Sequence, residues 1–181
     1  MIDFVINKDL LKFNKEFGFN KLHYVRILNL NKFEDINESK EKLNIANANK
    51  DFLRKIFESN KVDIVLGLEK LEERDSLHYR NSGLNQVLCN LARKNNISVG
   101  ISFKDILNSD NLGLLLGRIM QNVALCKKYK VNIVFATFAS DFYDLRLSKD
   151  LEAFAKLIGI DKLDNAKIFK LKEFSDVKVI D

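Results

Sequence analysis

Two histidines and two cysteines are the side chains in this sequence most suited to binding a transition metal or acting as a nucleophile. His23 and His78 each stand alone in their segments, and Cys89 and Cys126 form neither a CxxC pair nor a zinc-ligand spacing. A metal-dependent phosphoesterase needs a cluster of histidines and carboxylates around its ions. We therefore expect no metal bound by the chain, and we interpret the cysteines as reduced, half-buried thiols.

Other catalytic patterns are also missing from the sequence. It contains no GxGxxG, no GxxxxGK[ST] and no GxSxG. The paired carboxylates Glu72 and Glu73 lie beside Arg74 in a highly charged stretch, which is typical of a solvated surface. We therefore predict no catalytic residues in the chain itself and expect a binding function.

Composition and charge restrict the class of protein. The chain has 181 residues with 46% hydrophobic and 30% charged side chains, which is typical of one globular domain spanning residues 1–181. Its formal net charge of +5 and pI near 9.1 are compatible with a polyanionic partner. The apolar runs are too short for a membrane span and the N-terminus lacks a signal peptide pattern, so we expect a cytoplasmic protein without a membrane partner.

Apolar, β-branched segments alternate with segments of helical periodicity about six times along the chain. The predicted strands are 2–6, 22–28, 43–48, 62–66, 97–103, 133–136 and 166–171, and the predicted helices are 8–17, 51–59, a segment capped by Ser82, 110–128 and a segment capped by Ser148. Residues 31–42 read as a short helix or a loop. Alternation with short connections predicts a parallel sheet with helices outside, either open or closed as a barrel. Eight full units need roughly 250 residues, so a complete classical barrel would not fit.

Several separate motifs between residues 62 and 160 occur in the order and spacing of one known family. Residues 81–107 contain a helix with Val87-Leu88, Leu91-Ala92 and Lys94-Asn95, followed by a strand with Gly100 and Ser102. Further along lie Arg118-Ile-Met, Lys128-Tyr-Lys-Val and Asp144-Leu-Arg-Leu-Ser-Lys-Asp-Leu. Together these segments resemble the ribonuclease P protein component 3 family, the archaeal counterpart of the thirty-kilodalton ribonuclease P subunit.

The resemblance implies a fold and a function. The expected fold is α/β, an irregular, trimmed (β/α) barrel of the TIM/PHP (polymerase and histidinol phosphatase)-like type. The expected role is that of a protein subunit of the ribonuclease P endoribonuclease, in which a catalytic RNA uses Mg²⁺ to remove the 5′ leader from precursor tRNA. The implied partners are the ribonuclease P RNA, a small ferredoxin-like protein subunit and, indirectly, precursor tRNA.

Two other functions remain open from the sequence. The chain could be a divergent PHP-type metal-dependent phosphoesterase, which would hydrolyse a phosphate ester without RNA. It could also be a scaffold subunit that binds only protein.

Basic residues within the resembling segments are the candidates for contact with RNA phosphates, since Lys and Arg neutralise crowded phosphates and release counterions. The predicted RNA-binding residues are Arg118, Arg146, Lys149, Arg93, Lys94 and Arg80. We expect Arg118 to lie on the side of its helix away from the apolar stripe, and alanine variants of Arg118 and Arg146 to remain folded but lose activity at low Mg²⁺. Phe142 and Tyr143 are candidates for an exposed apolar patch that contacts the protein partner.

Two positions depart from the family pattern. Gly113 stands where an arginine often occurs, five residues before Arg118, and Ser148 replaces a proline. The first departure removes one expected phosphate contact.

Overall fold

A computed structural model describes residues 1–29 and 43–169 of the chain. Within these ranges seven short strands run parallel to their neighbours. They are β1 (Ile2–Val5), β2 (Lys21–Tyr24), β3 (Ile27–Leu28), β4 (Ile45–Asn47), β5 (Ile64–Leu66), β6 (Ser98–Ser102) and β7 (Ile133–Ala136). β1 pairs with β2, and the remaining strands form a sheet in the order β3-β4-β5-β6-β7.

The strands alternate their side chains between the inside of a barrel and an outer layer of helices. Ile64 and Leu66 of β5 pack in an inner cluster, while Val65 between them packs against helices. Gly100 of β6 lies opposite this inner pair, where a Cβ atom would come within 2.4 Å of Leu66 Cδ2 and 2.7 Å of Ile64 Cγ2. Both faces of the sheet are therefore buried, which explains the nearly continuous apolar runs in the sequence.

The barrel closes between β1 and β7, mostly through side chains. The only backbone bridge described there joins Val5 to Ala139, just beyond β7. The buried carboxylate of Asp3 accepts hydrogen bonds from Thr137 N (2.8 Å) and Thr137 Oγ1, and burial raises the pKa of Asp3 to about 6 against the effect of these bonds. Asn165 Nδ2 donates to Phe135 O on one strand (2.8 Å) and to Ile2 O on the other (3.0 Å). The pair formed by β1 and β2 is also connected to the five-stranded sheet through the chain, because only Val25 and Arg26 separate β2 from β3.

Helices follow the strands on the outside of the barrel. They are α1 (Leu53–Glu58), α2 (Gln86–Lys94), α3 (Phe103–Leu107), α4 (Leu112–Tyr129) and α5 (Ser148–Leu157), with 3-10 turns at Lys8–Phe13, Lys50–Phe52, Leu68–Lys70 and Phe142–Asp144. The predicted barrel fold is confirmed, and the predicted strand 133–136 agrees with β7 at both ends. In the described ranges, none of these helices combines the length and the apolar character that a membrane crossing requires.

Some predicted element boundaries are wrong. The helix expected over 8–17 is a 3-10 helix that ends at Phe13, and the strand expected over 22–28 is interrupted after Tyr24. The last predicted strand is a turn and the start of a helix as far as residue 169. The segment 31–42, predicted as a short helix or loop, lies outside the described residues.

Both predicted serine caps are wrong, for different reasons. Asn85 caps α2, since its side chain accepts a hydrogen bond from Leu88 N at 3.0 Å, and Ser82 is buried three residues earlier. Ser148 is the first residue of α5, and its hydroxyl donates to Gly18 O at 2.9 Å in a contact between distant parts of the chain. Local spacing does not reveal such a tertiary partner.

Substituting Asn165 by alanine should destabilise the barrel. The variant leaves Ile2 O and Phe135 O without their bridging donor in a buried seam, which costs about 2 kcal/mol. Urea unfolding followed by circular dichroism measures the change. Asn108→Ala is the matched control because its amide bonds only a carbonyl of its own turn at the surface. Equal stability of both variants would contradict the importance of the seam.

Candidate nucleic-acid interface

Loops that leave the carboxyl ends of β5, β6 and β7 meet at one end of the barrel, which we call the carboxyl-end face. Open α/β sheets and barrels place their ligand sites at this end of the strands. Of the predicted residues, Arg80 follows β5, while Arg146 and Lys149 follow β7. The structure therefore brings three of the six predicted side chains to the same end of the molecule.

Arg146 is held in a fixed direction at this face. Its Nη1 donates to the backbone oxygens of Tyr143 (2.6 Å) and Leu145 (2.7 Å), and its guanidinium lies over the ring of Phe103, 5.8 Å from the centroid. The side chain is half-buried and forms no ion pair with a carboxylate of the described ranges. Within the described ranges its Nη2 and Nε atoms donate no hydrogen bond, and a planar guanidinium suits phosphate.

A carboxylate organises the turn that carries Arg146. Asp144 Oδ2 accepts hydrogen bonds from Ser140 N, Ser140 Oγ and Asp141 N at 2.9, 2.9 and 3.1 Å. Partial burial raises the pKa of Asp144, but these bonds and the nearby charge of Lys104 outweigh burial and leave that pKa below its usual value. Lys104, which follows β6, donates to Ser140 Oγ and adds a second cation to the same turn.

Lys149 and Arg80 are exposed cations at the same face. Lys149 lies in the first turn of α5 and has no carboxylate partner among the described residues. The guanidinium of Arg80 lies against Gly117 of α4, where a Cβ atom would come within 3.2 Å of Arg80 Nε. The absence of a side chain at Gly117 therefore allows Arg80 to rest on the helix.

Arg93 and Lys94 lie at the opposite end of the barrel. They are exposed in the last turn of α2, and this helix ends just before β6 begins. A helix that connects two parallel strands returns toward their amino ends, so these side chains cannot share one surface with Arg146. Their predicted contact with RNA would have to form a separate site.

Arg118 is not an exposed residue, and the expectation that it faces away from the packed stripe is wrong. Only 2% of the residue is exposed. Its Nε donates to Asp75 Oδ1 at 2.8 Å, and its Nη1 donates to Glu69 O at 3.0 Å and to Glu72 O. The guanidinium thus fastens the loop after β5 to α4. Partial burial raises the pKa of Asp75, but hydrogen bonds from Asn81 and Arg118 and the charges of Arg118 and Arg80 leave it lowered.

The same loop begins with a buried carboxyl group. Glu69 is 2% exposed, and burial raises its pKa to about 7 despite a hydrogen bond from its own backbone and the charge of Lys70. Its Oε2 atom has no hydrogen-bond partner among the described residues. Glu69 is therefore partly protonated near neutral pH.

The histidines occupy separate places in the described structure. His23 on β2 is half-buried, with its ring centroid 4.8 Å from that of Phe169, and His78 is exposed on the loop after β5. Within residues 1–29 and 43–169, no three His, Cys, Asp or Glu side chains come close enough together to hold a metal ion. A cleft of about 230 Å³ at the carboxyl-end face is lined by amide, apolar and lysine side chains, including Asn47 and Lys70.

Aromatic residues cover the carboxyl-end face beside Arg146. Phe142 packs edge-on against Phe13 and Phe17, with ring centroids 5.0 and 5.5 Å apart, and remains 43% exposed. Tyr143 is 83% exposed. The predicted exposed patch at Phe142 and Tyr143 is therefore present, and it extends to an element near the N-terminus.

Sequence reasoning missed Phe103 and Lys104, which support and extend the Arg146 site. The available signal was their place directly after a predicted strand, since side chains at the carboxyl ends of neighbouring parallel strands meet. Sequence spacing carried no sign that the ring of Phe103 would lie beneath Arg146.

Comparison with known proteins identifies the family. The family model described as RNase P subunit p30 matches residues 25–172. The chain belongs to this family. Ribonuclease P protein component 3 of Methanosarcina mazei is 34% identical over 85 residues, covering 46% of this chain and 36% of the relative. The protein of the same name from Methanococcus maripaludis is 30% identical over 119 residues, covering 65% and 48%. These matches span less than half the length of the relatives.

The fold of this p30 family member also occurs in a solved structure. A chain in the cryo-EM structure of archaeal ribonuclease P with mature tRNA aligns with a TM-score of 0.69 and 19% identity, covering 99% of this chain and 83% of that chain. The structural likeness also covers the N-terminal third of the chain, which contains none of the sequence motifs. It supports the TIM-barrel-like fold.

Replacing Arg118 with alanine should destabilise this family member instead of leaving its fold intact. The change removes a buried cation and three contacts to the loop, which costs about 3 kcal/mol. Lysine at this position should rescue little, because an ammonium lacks the planar fork that reaches three acceptors. Urea unfolding measures the loss. Wild-type stability of Arg118→Ala would show that the loop does not depend on this residue.

The raised pKa of Glu69 should make the protein less stable as the pH increases. Unfolded, the carboxyl group titrates near its model value of 4.5, and folded it titrates at about 7, so only the unfolded state releases a proton between these values. The loss in free energy of unfolding grows between these two pH values to about 3 kcal/mol and stays constant at higher pH. The difference between the unfolding free energies at pH 5 and pH 8 should be smaller in Glu69→Gln than in wild type. An unchanged pH slope in the variant would contradict the assignment.

Proposed function

We propose that this chain is a protein subunit of ribonuclease P that supports a catalytic RNA in removing the 5′ leader from precursor tRNA. The match to the RNase P subunit p30 family over residues 25–172 is the observation that carries this proposal. The chain itself supplies no catalytic residue in it, and the Mg²⁺ used in cleavage belongs to the RNA. Its contribution is to stabilise the catalytic domain of the RNA.

Arg146 carries the proposed RNA contact. Folding a large RNA brings phosphates together, and their repulsion must be neutralised by cations. A cationic side chain that is already held in place loses little conformational entropy when it binds a phosphate. The two carbonyls and the ring of Phe103 hold Arg146 in place in this way. Lys149 and Lys104 extend the positive surface, and Arg80 borders it from the loop after β5. Arg93 and Lys94 would reach a different part of the RNA from the amino end of the barrel.

The aromatic patch is the proposed contact for the small ferredoxin-like protein subunit. Tyr143 and Phe142 expose large apolar surface next to charged groups, which is the composition of a protein interface with aromatic anchors. Because Arg146 bonds the backbone of Tyr143, RNA and protein contacts would adjoin in this arrangement. Each could then position the other.

Alanine at Arg146 should raise the Mg²⁺ concentration needed for precursor-tRNA cleavage by the reconstituted particle. Removing one charge-assisted contact to a phosphate weakens binding about tenfold, and additional Mg²⁺ can screen the exposed phosphates. Lys149→Ala should show a smaller effect of the same sign. Cleavage rates across a Mg²⁺ titration measure both variants, and thermal unfolding checks that each remains folded.

Lys156→Ala is the matched control, since Lys156 is an exposed lysine near the opposite end of the same helix. Its Mg²⁺ dependence should equal that of wild type. If Arg146→Ala also behaved as wild type, the site assignment would fail. If the particle cleaved equally well without the chain at every Mg²⁺ concentration, the proposed function itself would fail.

A further inference from the structure

Residues 73–80, which we call the 73–80 loop, project aromatic and apolar side chains from the carboxyl-end face. Leu77 is 93% exposed and Tyr79 is 66% exposed. Arg74, His78 and Arg80 are exposed around them. An aromatic ring among cations is the composition of a surface that stacks bases and holds phosphates.

The loop is ordered by its own hydrogen bonds. Ser76 N donates to Tyr79 O at 3.0 Å and closes a tight turn with Leu77 at its tip. Asn81 closes the base of the loop, because its N donates to Asp75 Oδ1 at 2.9 Å and its Nδ2 to Arg74 O at 2.8 Å. The exposed side chains therefore stand on a fixed backbone.

Helix α4 anchors both ends of this loop. Arg118 holds Glu69 O, Glu72 O and Asp75 at the start. At the end, the buried Asn122 donates through Nδ2 to Ser82 O at 2.8 Å. Two side chains about one turn apart on one long helix thus determine where the tip points, which lowers the entropy lost when a ligand binds.

The charges in and beside the loop favour an anionic partner. Asp75 is paired with Arg118 at 2.8 Å, and Glu72 is paired with Lys50 at 2.7 Å. Neither Arg74 nor Arg80 forms an ion pair with a carboxylate of the described ranges, although the charge of Arg80 helps to lower the pKa of Asp75. Glu73 is the acidic side chain of the loop left without an ion-pair partner there. Two exposed arginines therefore lie in the same short loop as Tyr79, one near its start and one directly after the tyrosine.

We propose that the 73–80 loop binds an unpaired stretch of RNA, with a base stacked on Tyr79 and the adjacent phosphates on Arg74 and Arg80. The inference rests on the proposed function and adds a class of ligand to it: splayed-out bases, which the Arg146 site does not recognise. Every base offers a flat face, whereas a base within a duplex is already stacked on its neighbours. The loop therefore distinguishes single-stranded from duplex RNA.

A fluorescent RNA tests this selectivity with the full-length chain. The probe is a uridine oligomer of about twelve nucleotides with one central 2-aminopurine, whose emission decreases when the base stacks. Wild type should quench the probe on binding and should bind the matching duplex more weakly. Tyr79→Ala should lose about tenfold in affinity for the single strand and lose the quenching, with little change toward the duplex.

Three further variants separate stacking from a structural role. Tyr79→Phe keeps the ring and should retain the quenching. Leu157→Ala removes an apolar side chain that is even more exposed than Tyr79, at 77%, from the other end of the molecule and should bind as wild type does. Arg80→Ala should weaken binding while leaving quenching at saturation intact, because it removes a phosphate contact and not the ring.

Equal binding of wild type and Tyr79→Ala to the single strand would overturn the inference. So would a Tyr79→Ala defect confined to association with the other protein subunits, which would make the loop a protein-docking site. Both results leave the Arg146 titration unaffected. Conversely, a particle that needs no contribution from this chain removes the proposed function, whatever the oligomer binding shows.

Discussion

A ring of parallel strands holds together only when its first and last members meet, and here they meet largely through side chains. Asp3 and Asn165 connect β1 to the β7 segment with hydrogen bonds that a regular ladder would otherwise supply. These polar groups are almost completely buried, so each unmade bond would carry the full desolvation cost. The geometry of the carboxyl-end face depends on this closure, because its loops leave the strands of the ring.

One buried arginine stabilises the fold and holds a loop on which other basic residues remain exposed. Arg118 donates hydrogen bonds to Glu69, Glu72 and Asp75, so this cation is buried and not available at the surface. The loop that Arg118 holds in place exposes Arg80 and Tyr79 to solvent. A buried, structural cation thus fixes the position of exposed cations, which is how a modestly basic protein can concentrate positive charge on one face.

Sequence patterns predicted the elements whose formation depends on neighbouring residues. The apolar run at 133–136 became β7, and the stripe containing Leu115, Ile119 and Val123 became the buried face of α4. Val87 and Leu112 fit the same periodicity but are 53% and 47% exposed. Both lie in the first turn of their helices, where no described element covers them. Periodicity predicts which residues share a face and cannot predict how far a neighbour extends along it.

The sequence by itself determined the alternation of strands and helices, the barrel class and the family, because these follow from local periodicity and from motifs in a set order. It also placed Arg146 after a strand, because that position is a property of chain order. Only the tertiary structure decided which basic residues are available. The partners of Arg118 lie 43 to 49 residues away along the chain, and the ring beneath Arg146 comes from another strand's end. The charge of a residue follows from its type, but its exposure depends on contacts between segments that are distant in sequence, and local spacing does not predict those contacts.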